Sequence, residues 1–154
     1  VLDPTTAELG PLVGETVELR VVSRHGPGDP RGYPPGYVFA ICGRDGGVEV
    51  GRLLLRVDEA PIIAELAGHL AYEIAPEHRG HRYAAQACTL VARVAKLHGL
   101  VELWSMCADD NVASLRTLER AGFEHVDTRA VPRDSKLRNE HGIERLRRYR
   151  LRLG

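Results

Sequence analysis

The clearest periodic pattern in the chain lies over residues 83–98. Gln86, Thr89, Arg93 and Lys96 form one polar stripe at helical spacing, Ala87, Leu90, Val91, Val94, Leu97 and His98 fill the opposite face, and Gly99 supplies a stop. A helix with one apolar face needs a surface to cover, and the flanking segments supply strands. Residues 16–23 have strand character, while 37–42 and 48–57 are apolar and β-branched and are separated by Gly43-Arg44-Asp45-Gly46-Gly47, a hairpin signal. Residues 69–75 form the next strand, stopped by Pro76. Beyond the helix, 100–107 and 123–131 read as strands around a second helix over 111–121, capped by Asp109 or Asp110 and closed by Gly122. In the final strand Tyr149, Leu151 and Leu153 alternate with Arg148, Arg150 and Arg152. Two stretches resist this reading: 24–36, dense in Gly and Pro, and 132–142, polar throughout, are expected to be loops. Residues 58–67 fit a helical turn or a strand end equally well.

Strands first and a βαβα segment afterwards imply an α/β protein of the α+β type, with a mixed sheet flanked by helices. Because 100–107 follows a crossover helix, it should lie parallel to the strand ending at Ala75, and the cleft outside their carboxyl ends is where such sheets bind ligands. The length of 154 residues suits one domain over 1–154. Twenty-one basic and twenty-one acidic side chains balance, so no global field favours nucleic acid and any anion site must be local. No apolar run approaches membrane-spanning length and no signal-peptide pattern opens the chain. Cys42, Cys88 and Cys107 are odd in number and lack Cys-x-x-Cys spacing, which argues for small core residues in a reducing cytoplasm over disulfides or zinc.

The chemistry concentrates between Tyr72 and Phe123. After Pro76 the chain runs Glu77-His78-Arg79-Gly80-His81-Arg82-Tyr83-Ala84 straight into the helix. Unpaired N–H groups at a helix start, beside an arginine cluster, suit a phosphate-rich ligand. On its own the Arg79–Arg82 stretch reads equally well as a solvated loop. A second motif follows in order: Asn111-Val112-Ala113-Ser114, then Ala121-Gly122-Phe123. Alone, Asn111 reads as a first-turn polar residue and Ser114 as a small residue that permits close packing.

The two motifs together resemble the GNAT superfamily of N-acetyltransferases, and the resemblance covers nearly all of residues 17–153. It implies the GNAT fold, with a central, mostly antiparallel sheet splayed at a cofactor cleft, and acetyl-CoA as cosubstrate without a metal. Arg79, Gly80, His81, Arg82, Tyr83 and Ala84 correspond to the family's pyrophosphate loop. Arg82 stands where the family has Gly, and is expected to take an ordinary helical conformation and add its guanidinium to the phosphates. The strand residues Ile74 and Ala75 would meet the pantetheine arm, with amides near Ile74 polarising the acetyl carbonyl. Asn111 would hydrogen-bond that arm, and Ser114 would sit near the sulfur. Many members carry a Tyr seven residues after the Asn as the acid for the leaving thiolate; here it is Leu118. The chain therefore resembles the branch that includes ribosomal-protein N-terminal acetyltransferases, and Ser114 becomes the proton donor, with a bound water as fallback.

Glu73, on the strand beside the cleft, is a candidate base, its alternative being an ordinary exposed strand residue. At pH 7 a lysine-like amine costs roughly 4.6 kcal/mol to deprotonate and an α-amine only roughly 1 to 1.4, so an α-amine needs little beyond positioning. His69, His78 and His81 lack a common metal-ligand spacing. Tyr33, Tyr37 and Trp104 could line an acceptor pocket, although Tyr37 and Trp104 lie in strands where core packing is the default. The acceptor is then a primary amine, either a protein N-terminus or a small molecule such as an amino sugar antibiotic, with a homodimer left open. The contrasting class is an acyl-CoA-binding module without turnover, which the departures at Arg82 and Leu118 motivate.

Overall fold

A computed structural model describes residues 2–154. Seven strands form one sheet: β1 (Val17–His25), β2 (Gly36–Gly43), β3 (Glu49–Arg56), β4 (Leu70–Ile74), β5 (Glu102–Ala108), β6 (Glu124–Ala130) and β7 (Arg145–Arg152). Their spatial order is β1-β2-β3-β4-β5-β7-β6. Every neighbouring pair is antiparallel except β4 with β5. That exception is the crossover through α1 (Tyr83–Leu97), which a parallel connection requires.

Alternation within the first four strands gives the sheet two unlike faces. Leu19, Phe39, Ile41, Leu53, Leu55 and Leu70 pack against Ala87, Leu90, Val91 and Val94 of α1, and all are buried. Each large aliphatic side chain in that layer contributes roughly 1.5 to 3 kcal/mol of transfer free energy. The predicted apolar face of the helix departs from the structure at its end. Leu97 is 48% exposed, because four residues after Arg93 it falls at the edge of the polar stripe, while His98 turns inward and meets the Tyr37 hydroxyl at 2.5 Å. Tyr37 and Trp104 are both core residues, so the packing reading holds for them.

Three boundaries shift for identifiable reasons. The strand of 16–23 continues to His25 because Ser23, Arg24 and His25 still pair with Val38, Tyr37 and Gly36. Residues 58–67 hold a wide helical turn, Ile63–Ala67, whose Ile63 is buried. The polar stretch 132–142 contains a short helix, α3 (Lys136–His141), started by the Ser135 side chain accepting from the Arg138 N–H. The second helix, α2 (Val112–Arg120), is capped by Asn111 in place of Asp109 or Asp110. Asp109 instead accepts from Arg147 at 2.6 Å. Leu118 is fully buried on the inner side of α2.

β7 runs between β5 and β6, and its arginines tie the second half together. Arg148 donates to both Asp127 oxygens, at 2.6 and 2.7 Å, and to the Ala64 carbonyl at 2.7 Å, while its guanidinium lies 4.8 Å from the Trp104 ring centroid. One buried cation thereby fixes β6, β7 and the turn leading into β4. Cys42, Cys88 and Cys107 are all buried free thiols, and among the described residues no cluster of ligating side chains could hold a metal. Among the described residues no helix is long and apolar enough to cross a membrane.

Candidate active site

The parallel ladder between β4 and β5 consists of a single residue pair, Leu70 with Ser105. Past it the two strands part, and the backbone of β4 faces an open gap. Which groups face it follows from the β3 pairing. Ala75 donates its N–H to the Val50 carbonyl at 2.9 Å, and the register sets Arg52 opposite Glu73 and Leu54 opposite Ala71. In an antiparallel ladder hydrogen-bonded pairs alternate, so Ala71, Glu73 and Ala75 spend their amides on β3. The N–H and C=O groups of Tyr72 and Ile74 point the other way, into the gap. Gly51 makes this closeness possible, since a Cβ there would lie 2.3 Å from the Glu73 carbonyl oxygen.

Below the gap the chain turns through a short 3-10 turn, Pro76–His78, and reaches α1. Arg79 folds back and donates Nε to the Ile74 carbonyl at 2.9 Å, closing one of the gap's backbone acceptors and bracing the loop against β4. Gly80 has φ +90° and open space where a side chain would start. Arg82 contradicts the expectation of an ordinary helical conformation. It sits in the left-handed region at φ 62°, ψ 23°, the one non-glycine among the described residues with positive φ. The physical reason is that it occupies the position where the family has Gly: the chain must reverse between Gly80 and the first turn of α1, and the backbone keeps the glycine-like conformation despite the side chain. No side chain caps the helix start, so the first-turn N–H groups of Tyr83, Ala84 and Ala85 are open to a ligand. His81 and Tyr83 stack at 5.2 Å beside them.

On the far wall of the gap, α2 presents Asn111 and Ser114. The Asn111 Oδ1 accepts from the Ser114 N–H at 3.2 Å, which leaves its amide nitrogen for another partner. The Ser114 hydroxyl lies 2.9 Å from the Tyr72 hydroxyl. Burial raises the pKa of Tyr72 well above its ordinary value, so the phenol keeps its proton at neutral pH. Tyr72 was not among the residues that sequence reasoning selected; its signal was present only as a tyrosine next to Glu73 on the strand before Pro76. Burial also pushes the neighbouring Cys107 thiol up to about 11, which makes it a poor nucleophile.

Glu73 does not join this cluster. Side chains on a strand alternate, so with Tyr72 and Ile74 directed to the α1 side, Glu73 lies on the opposite face, exposed and across from Arg52. The structure therefore brings together Ile74, Arg79, Asn111, Ser114 and Tyr72 around one gap, and places Glu73 behind it. His81 and Arg82 lie on its exposed rim.

The site is thus a mixed sheet split after one parallel pair, with the split leading to the uncapped start of α1. Residues 23–124 match the family model for the acetyltransferase (GNAT) domain, and the chain belongs to that family. Solved structures agree on the fold. A candidate ribosomal-protein-serine acetyltransferase from Vibrio cholerae is 15% identical with a TM-score of 0.61, over 98% of this chain and 99% of that one. A candidate GNAT-family acetyltransferase from Bordetella pertussis is 17% identical with a TM-score of 0.62, over 91% and 98%. The microcin C7 self-immunity acetyltransferase, solved with acetyl-CoA and AMP, is 15% identical with a TM-score of 0.56, over 76% of this chain and 61% of that one. The chain thus spans nearly all of some of these proteins and about three fifths of others. No curated protein is similar to it in sequence at a significant level.

Proposed function

We propose that this chain transfers an acetyl group from acetyl-CoA to a primary amine by direct attack, in the cytoplasm where that cosubstrate is made. One observation carries the reading: β4 and β5 part after Leu70 and Ser105, which leaves the Tyr72 backbone groups and the Ile74 N–H without a strand partner beside the bare start of α1, the Ile74 carbonyl being held by Arg79. An extended amide-bearing arm would complete the missing ladder, and its phosphates would meet Gly80, His81, Arg82, Tyr83 and Ala84. The neighbour solved with acetyl-CoA shares the fold and supports this choice of ligand.

Acetyl-CoA supplies an activated carbonyl, and the chain's own residues do the rest. The Ile74 N–H polarises the carbonyl oxygen, a donor fixed by the sheet before the reaction begins. Asn111 holds the arm with its free amide nitrogen. The Ser114 hydroxyl gives its proton to the departing sulfur as the Tyr72 hydroxyl 2.9 Å away passes its own to Ser114, so that the pair acts as one donor, and once the products leave, solvent returns a proton to Tyr72 and takes one from Glu73. Glu73, on the other face of β4, takes the proton released by the amine as nitrogen bonds to carbon, directly or through water. Donor and acceptor of protons therefore stand on opposite sides of the gap, as a displacement at the carbonyl requires.

The test is CoA release from acetyl-CoA with a panel of α-amines, lysine-type amines and amino sugars. Amine-dependent release with a matching acetylated product supports transfer. Tight CoA binding with no release for any amine would reassign the chain as an acyl-CoA-binding module.

A further inference from the structure

The sheet face opposite α1 holds a cavity of about 350 Å³ lined by Ser23, His25, Val38, Leu54 and Arg56 and roofed by the loop that carries Arg31 and Tyr33. Register places these residues on the face that carries Glu73: Arg52 is opposite Glu73, Leu54 is opposite Ala71, and Ser23 is opposite Val38. The floor of the cavity therefore runs along β3 directly toward the position from which an amine would attack.

Its charge is unusual in one respect. Arg20 pairs with Glu18, Arg52 with Glu49, and Arg31 with Asp29 at 2.9 Å. Arg31 also lies 5.1 Å from the Tyr33 ring centroid, so its guanidinium is engaged on two sides. Of the two arginines that line the cavity, Arg56 has no carboxylate partner among the described residues. It is half-buried, and its Nη1 reaches only the Gly68 and Ala67 carbonyls, at 3.1 and 3.5 Å. Burial lowers its pKa, as expected of a guanidinium whose counter-charge is missing.

We infer that this cavity is the acceptor pocket and that Arg56 selects an acceptor whose end remote from the amine carries an anion, a carboxylate or a phosphate. The inference rests on the transfer reading for the position of the amine, and on Arg56 alone for the anion. From Arg52, opposite Glu73, to Arg56 is four residues, about 13 Å of strand. An extended peptide of three to four residues spans roughly 10 to 14 Å from amine to terminal anion, which covers this distance. Val38 and Leu54 supply an apolar floor between the two ends. A polycationic amino sugar would place a second positive charge against Arg56 and is disfavoured.

The experiment is calorimetric binding, with CoA present, of tri-alanine as the free acid, tri-alanine as its C-terminal amide, and Ala-Ala-phosphoserine amide. The first two differ only in the terminal charge. We expect the free acid to bind at least about tenfold more tightly than the amide; the phosphopeptide shows whether phosphate serves as well as carboxylate. Arg56→Gln should remove the preference and leave amide binding within about twofold, while Arg56→Lys keeps part of it. Thermal melts of both variants check that loss of the Gly68 contact has not unfolded the turn. Equal affinity of acid and amide in the parent, failure of the acid to bind, or a preference that survives Arg56→Gln overturns the inference. Binding discrimination without CoA release leaves it standing and removes the transfer reading instead.

Discussion

The left-handed conformation of Arg82 makes a prediction that separates backbone strain from charge. An L-residue in that region costs roughly 1 to 2 kcal/mol relative to the right-handed one. Glycine removes the cost but loses roughly 0.5 to 1 kcal/mol through its larger unfolded-state entropy. Arg82→Gly should therefore be more stable than Arg82→Ala by about 0.5 to 1 kcal/mol. Alanine is the right reference, since both substitutions remove the guanidinium from beside the helix start, where a cation is unfavourable, and neither replaces a side-chain hydrogen bond, because Arg82 makes no capping bond. For a chain of this size, that difference corresponds to roughly 1 to 4 °C in melting temperature. Thermal melts of parent, Gly and Ala variants without ligand test it. A Gly variant no more stable than the Ala variant would refute the strain argument. The same three proteins report on the charge: if the guanidinium reaches the phosphates, both variants lose about one to two orders of magnitude in CoA affinity. Unchanged affinity would leave phosphate binding to the backbone amides alone.

CoA at one hundred times its dissociation constant should stabilise the fold by about 2.7 kcal/mol, seen as a rise in melting temperature; no shift at millimolar CoA, with calorimetry also silent, rules out the cleft assignment. Ser114→Ala should lower turnover by at least about tenfold while CoA affinity stays within about threefold, and Tyr72→Phe should do the same if the two hydroxyls act as one donor. A fully active Ser114→Ala enzyme assigns the proton to water. Stability should fall as pH drops from about 6.5 toward 4, because His69 is buried with its Nδ1 accepting from the Trp104 N–H at 2.9 Å and its pKa is pushed down to about 4. The unfolded chain binds that proton first, so the loss approaches about 3 kcal/mol near pH 4, with His98 shifted in the same direction. Urea melts across that range should show the slope, and His69→Gln should flatten most of it; an unchanged slope would place the titration elsewhere.

How much of the site could be read from the chain depended on whether the signal was local. The helix period over 83–98 and the Asn111-to-Ser114 spacing are local, and they led to α1, α2 and the gap between them. Two misses arose where a side chain's role depends on what lies across from it. Asp109 looked like a helix cap, but β7 returns beside β5 and supplies Arg145 and Arg147, and the cap passes to Asn111. Arg82 looked free to take any helical conformation, yet the reversal after Gly80 dictates its φ. The turn at 63–67 was ambiguous because Arg148, 84 residues away, holds its Ala64 carbonyl.

Tyr72 and Glu73 show the same limit most sharply. Adjacent in sequence, they look like one cluster, and Glu73 drew attention because carboxylates serve as bases. In a strand, however, neighbours face opposite ways, and the sheet turns that alternation into a division of labour. Tyr72 reaches α2 and the Ser114 hydroxyl, while Glu73 stands on the face that carries the Arg56 cavity. Between them, the Tyr72 and Ile74 backbone groups face the open gap. The pair thus marks the two sides from which a carbonyl held in the gap would be approached and left, and the assignment can be tested at either residue. Glu73→Gln should lower turnover of lysine-type amines more than that of α-amines, whose smaller deprotonation cost leaves less for a base to do. Equal losses for both would mean that Glu73 only holds the acceptor in place.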